Sequence, residues 1–273
     1  MKKILALFGS IIICCNSFSQ DIEKIKDSIV AEGKSMYRSE MASWYGTDIF
    51  LEKYPSQRAN IGGYFSYVDG DLTKCIFFSK DETPKVLATI SFDDSYNIST
   101  AKVEDTQRDF SQYENEIYVV RKKTLSIING DTLFKTYSNT NLNLVPLVSG
   151  NEKKVYVLTG PESNDVVIFG NDYLLTFDQE NNLIEKKRLH KNIIQINYNQ
   201  PDLNVVSTMH SHLPETGDFI TSTDICTLML YEKFAKWKQH YVISKNYVSI
   251  WDCKKNILVA LTKEAWDKIG KDQ

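Results

Sequence analysis

From Gly62 onward, apolar and aromatic runs of strand length alternate with turn residues, and that rhythm commits most of this sequence to β-sheet. GGYFSYVDGDLTKCIFFSK carries Asp69-Gly70 between two such runs, the turn chemistry of a tight hairpin. VLATISFDDSYNISTAKVE reads as a second hairpin about its Asp-Asp-Ser-Tyr-Asn centre, and strands resume at LNLVPLV, KVYVLTG, DVVIFG-NDYLLTF and NLIEKKRL. Turns at this regular spacing predict a continuous antiparallel sheet. Many of the 15 tyrosines and 13 phenylalanines fall on alternating strand positions, which assigns them to core and cross-strand packing.

Helical spacing appears in three places. Ile22, Ile25, Ile29, Ala31, Met36, Met41 and Trp44 predict one amphipathic helix over residues 21–44, with Gly33 as a point where it could break and Tyr45-Gly46-Thr47-Asp48 as its end. The stretch from Tyr113 to Ile128 fits helix or strand. In the last third, Val205 to Met209 predicts a strand leading into His210-Ser211-His212, and Leu213 to Ile220 a loop with Pro214 and Gly217. A helix from Ser222 to about Trp237, two or three strands in HYVISKNYVSIWDCKKNILVALT and a short helix in EAWDKIGK complete the order. The expected class is α+β: a leading helix, an antiparallel β-rich N-terminal region over 20–140, and a strand-helix-strand-strand region over 141–273. The boundary is soft, within the polar stretch Thr132 to Asn143, and a single domain is the alternative.

Ahead of these regions, Lys2 and Lys3, the apolar run Ile4 to Cys15 and the small-x-small Ser17-Phe18-Ser19 predict a secretory leader over residues 1–19, cut before Gln20. Lipidation at Cys14 or Cys15 is the variant reading. The mature chain is then expected in an extracytoplasmic compartment, periplasmic or secreted, with no later apolar run long enough to span a bilayer. Losing Lys2 and Lys3, and no acidic residue, moves the formal charge from -3 to -5, and no basic run remains to suggest a nucleic-acid partner. Cys75, Cys226 and Cys253 survive, an odd number without metal spacing; three buried thiols or a Cys226–Cys253 bridge both satisfy it.

Chemistry concentrates in MHSHLPETGDFITSTDICTLMLYEKF. On an extended strand His210 and His212 point to one side, a direct way to give one metal two nitrogen ligands. In TSTD, Asp224 follows Thr221 by three positions at a helix start, where the backbone dipole favours a carboxylate. Two His and one Asp leave a fourth tetrahedral position for water, whose pKa zinc would lower towards 7. Thr221 and Asp224 are equally a plain capping box, and the two histidines could be a solvent-facing strand end.

The segment resembles the JAMM (MPN/JAB) metalloprotease family, whose pattern is His-x-His, about seven residues, then Ser-x-x-Asp. The resemblance covers about residues 150–270 and implies zinc on His210, His212 and Asp224, with Thr221 where the family's Ser stabilises an oxyanion. The loop is one residue longer than the family's, Thr replaces Ser, and Leu213 stands where a Pro commonly follows the second His. The family's general base is an upstream Glu, and its spacing points to Glu162, ahead of Glu185 and Glu180. His190 could be a further polar group near the site or a core-edge residue, and His240 reads as structural. Two functions follow: an exported zinc hydrolase acting on amide or isopeptide bonds of a peptide or protein, or a non-catalytic extracytoplasmic binding or structural module of the same architecture.

Overall fold

The computed structural model describes residues 2–199 and 205–270, with side chains described from residue 20. The expected leader therefore falls where side chains lie outside the described residues. The class is α+β.

Helix α1, Lys2–Lys53, is continuous: it neither breaks at Gly33 nor ends at Tyr45-Gly46-Thr47-Asp48. Both glycines mark close packing. A Cβ at Gly33 would lie 2.8 Å from Ile225 Cγ2 and 2.9 Å from the Ser222 carbonyl oxygen, and one at Gly46 would lie 2.9 Å from Cys75 Sγ. The approach they permit outweighs the roughly 1 kcal/mol each costs in a helix interior.

Strands β1 (Ile61–Asp69), β2 (Leu72–Ser79), β3 (Val86–Phe92) and β4 (Lys102–Glu104) form one antiparallel sheet, with Asp69 paired to Leu72 across the expected turn. The continuous run Cys75-Ile76-Phe77-Phe78 is apolar because both faces of β2 are covered. Ile76 and Phe78 join one core, and Cys75 and Phe77 join another beneath α1, where Phe77 stacks on Phe50 at 4.2 Å between ring centroids. The undecided stretch is helix α2, Gln112–Gly130. A second antiparallel sheet orders β5 (Thr140–Ser149), β6 (Glu152–Pro161), β8 (Tyr173–Phe177) and β9 (Leu183–Arg188). Phe65 and Ile76 of the first sheet, Ile117 and Val120 of α2, and Val155 and Leu175 of the second share one core, so packing runs across residue 140.

The sheet is not continuous. Helix α2 lies between the first two sheets in chain order, and β7 (Val166–Gly170) stays out of the second to pair with β10 (Ile193–Asn197). The fourth sheet orders β11 (Ser207–Ser211), β12 (Gln239–Ile243), β13 (Tyr247–Asp252) and β14 (Ile257–Thr262). Its first pair is parallel, joined by the crossover helix α3, Ser222–Ala235; α4, Lys263–Ile269, follows β14. Helix α1 braces the start of α3 through Glu32, which accepts from Ser222 Oγ at 3.3 Å and pairs with Lys154 at 2.9 Å. Cys75, Cys226 and Cys253 are buried and free, so the Cys226–Cys253 bridge is not formed. Among the described residues no helix is long and apolar enough to cross a membrane.

The start of α2 carries a charge pair between the buried Glu114 and a partly exposed Arg108. Glu114 closes a capping box with Ser111 and takes a two-pronged contact from Arg108, at 2.6 and 2.8 Å. Burial alone would raise the Glu114 pKa, but the Arg108 contacts and the Ser111 amide reverse this and hold it below its ordinary value. A depressed folded pKa contributes stability above the unfolded value, about 4.3, that is lost as pH falls through the folded one. Glu114→Gln is expected to cost about 1–3 kcal/mol at pH 7 and to flatten the acid side of the stability profile. Urea unfolding at several pH values measures both. Parallel profiles for wild type and variant would remove Glu114 from the acid response.

Candidate metal centre

All four histidines of the chain meet at one place, between the β7–β10 pair, the N-terminus of α3 and the inner face of β11 and β12. His210 lies inside β11 and faces inward, while its neighbours Met209 and Ser211 are exposed, the alternation a strand imposes. His212 continues the ladder one step beyond the strand, its amide donating to the Ile243 carbonyl at 2.9 Å, so both imidazoles reach the same side as expected. Asp224 arrives from the first turn of α3. It closes the Thr221 capping box and also faces the histidines, so the cap and the site are one carboxylate.

His190 completes the group. The Leu189 amide donates to the Asp172 carbonyl at 2.9 Å, extending the β8–β9 ladder by one pair and bringing His190 beside Asp172. His190, His210, His212 and Asp224 are 7, 7, 7 and 1% exposed, and their ligand atoms all lie within 4.8 Å of one another. His212 Nε2 stands 3.0 Å from both His190 Nε2 and His210 Nε2, and 3.2 Å from Asp224 Oδ2. The remaining carboxylate contacts are 3.6 Å to His190 and 3.7 Å to His210. A tetrahedron with metal–nitrogen bonds of about 2.0–2.1 Å has edges of about 3.3 Å, which these five distances bracket. Mutual hydrogen bonding does not account for the cluster. An imidazole nitrogen offers either one N–H or one lone pair, and His212 Nε2 faces three partners. Four lone pairs converging on one cation satisfy the geometry, so this buried cluster can hold a metal ion.

The outer contacts fix which nitrogens point inward. His190 Nδ1 donates to Asp172 Oδ1 at 2.7 Å, and Asp172 Oδ2 accepts from Thr223 of α3. His210 Nδ1 faces His240 Nε2 at 2.9 Å, and His240 Nδ1 faces Thr208 Oγ1 at 2.8 Å. With His210 and His240 each protonated at Nδ1, the chain runs His210 to His240 to Thr208 and frees His210 Nε2 for a metal, the arrangement that orients metal-bound imidazoles. His240, packed flat on Phe169 at 4.9 Å, is held down at about 3 by burial and by the neighbouring His210. It therefore remains a neutral acceptor. His212 Nδ1 is buried with no partner among the described residues.

Without a metal the cluster is electrostatically divided. Burial pushes His210 down to about 4. For His190 burial acts in the same direction, but the Asp172 and Asp224 carboxylates reverse it and hold the ring up at about 9. Burial alone would raise Asp224, whereas the three histidines hold it well below the carboxylate range.

The other nominated residues lie elsewhere. Glu162, just past the end of β6, and Glu180 and Glu185 are exposed, and none belongs to the cluster. Thr221 Oγ1 is engaged in the cap, donating to Asp224 Oδ2 at 2.8 Å and accepting from the Asp224 amide at 3.1 Å. His190, Asp172 and His240 carry more of the site than the sequence indicated. The clue available was the convergence of a histidine count of only four. A small cleft of about 40 Å³, lined by His190, Lys191, Asn192, His210, Ser211 and Leu213 among others, leads from the surface to the cluster. No protein-family model, no curated protein and no solved structure matches this chain.

Proposed function

We propose that this chain is an exported zinc-binding module whose metal is held by His190, His210, His212 and Asp224 in a closed, structural centre. The observation that carries this reading is the fourth ligand. Three nitrogens and one carboxylate oxygen at tetrahedral separations suit zinc, and a site with four protein ligands leaves no position for water or substrate. The ion would tie β11, the β9–β10 connection and the start of α3 together. In this reading the JAMM-like spacing of His210, His212 and Asp224 serves to hold a structural ion.

A second reading is favoured by the cleft at His190 and His210. In a JAMM-like hydrolase of amide or isopeptide bonds His190 would stand off the metal. Zinc in an open site supplies a Lewis acid and a water of lowered pKa. His190, anchored by Asp172, would hold and return a proton at Nε2, the task the family gives to a Glu.

His190→Ala separates the two. In the closed centre it is expected to lower zinc affinity by more than about tenfold and to reduce the melting temperature of the zinc-loaded protein. Metal analysis of the purified protein should give about one zinc per chain. A variant that keeps native zinc affinity while losing turnover of amide substrates would overturn the structural reading in favour of the hydrolase.

A further inference from the structure

A second cavity, of about 310 Å³, opens between α1, the strands β5 and β6, and α3. Its volume is that of a small-molecule site. Glu40, Asp48, Asn143, Trp44, Tyr64 and Tyr231 line it, with aliphatic side chains between them, and no lysine, arginine or histidine does. Glu40 is half-buried, and among the described residues its side chain has one hydrogen bond, from Asn143 Nδ2 at 3.4 Å, and no ion pair. The titratable groups facing it are Tyr64 of β1, Cys75 of β2, and Cys226 and Tyr231 of α3. Burial raises all four, so each is neutral at pH 7 and none answers the carboxylate's charge.

We propose that this cavity binds a small organic ammonium compound, its charged nitrogen against the Glu40 carboxylate and its apolar body among Trp44, Tyr64 and Tyr231. The chemistry is specific on both counts. An unanswered carboxylate at the wall of a cavity favours a cation that can donate hydrogen bonds, and aromatic faces attract the same charge through their quadrupoles. Burial lifts the Glu40 carboxyl to about 7, against the opposing Asn143 contact, so an arriving ammonium completes its ionisation. Trp44 is 43% exposed and stacks on Phe234 at 5.9 Å, leaving part of its indole available to a ligand. None of its lining residues is a member of the histidine cluster, while Leu158, Thr159, Ile168 and Thr227 also border the small gap beside Asp172 and Asp224.

Titration calorimetry on the metal-loaded protein at pH 8 tests it, with phenethylamine as the probe and 2-phenylethanol as its neutral counterpart. The amine should bind and the alcohol should not. Glu40→Gln keeps the shape and removes the charge, and is expected to weaken the amine at least about tenfold. Trp44→Ala, at an exposed position, should weaken it by about two- to fivefold. Melting curves confirm that both variants fold. No heat with the amine, equal binding of the alcohol, or an unchanged constant in Glu40→Gln would each overturn the proposal.

Discussion

Asp224→Ala is expected to empty the metal centre and to loosen the fold around it, the largest loss from any single side chain of the site. Three contributions vanish together. A bound metal would lose its one anionic ligand, and an effect above about a hundredfold in affinity is expected because even outer-shell changes reach that size. Helix α3 loses the N3 half of its capping box, worth about 1 kcal/mol. Three buried imidazoles also lose the carboxylate that faces them at 3.2–3.7 Å. Asp224→Asn separates these, because its amide oxygen can still accept from the Thr221 amide while the charge is gone. The expected order of zinc affinity is wild type far above both variants, with Asn near Ala. The expected order of metal-free stability is Asn above Ala. Chelator competition measures the first and urea unfolding of metal-free protein the second. Near-native zinc affinity in Asp224→Ala would show that Asp224 only caps the helix.

The legible parts of this molecule were those fixed by local chemistry. Asp69-Gly70 specified its turn, the Thr221 to Asp224 spacing specified a helix start, and the period-two pattern placed His210 and His212 on one face. The misread parts depend on residues distant in sequence. Gly33 and Gly46 look like helix breakers in a single helix, yet each is small because another element touches it. His190 and Asp172 sit at unremarkable strand ends, and they reach the candidate metal centre only because β9 pairs with β8 while α3 closes over both. Helix α2 is a different case: the Ser111 to Glu114 capping box and the helical spacing of Ile117, Val120 and Thr124 are local signals, and Ile117 and Val120 go into the core shared by two sheets.

Gly170→Ala should therefore damage the metal centre as much as a change to an outer-shell ligand, although residue 170 carries no chemistry. The chain turns out of β7 at Gly170 and Asn171, both left-handed, with φ of 79° and 53°. Asn171 locks the corner. Its Nδ2 donates to the Lys135 carbonyl at 2.8 Å, its Oδ1 accepts from Tyr173 at 2.7 Å, and its amide donates to the Asn192 carbonyl at 3.1 Å. Asp172 leaves this corner aimed at His190. A Cβ on residue 170 would stand 2.2 Å from that Asn192 oxygen and 3.3 Å from His190 Cβ. The obstacle is backbone, so the connection holding His190 must move. The left-handed conformation adds about 1–2 kcal/mol for any residue with a Cβ. A stability loss of at least about 2 kcal/mol is expected, with zinc affinity lowered about 10–100-fold as His190 is displaced. Gly70→Ala is the matched control, because φ is 60° and no atom lies within 4 Å of the added carbon. It should show the conformational cost alone, with native zinc affinity. If the two variants lose equal stability and both hold zinc as the wild type does, the Gly170 corner does not position His190, and the fourth ligand must be held by β9 alone.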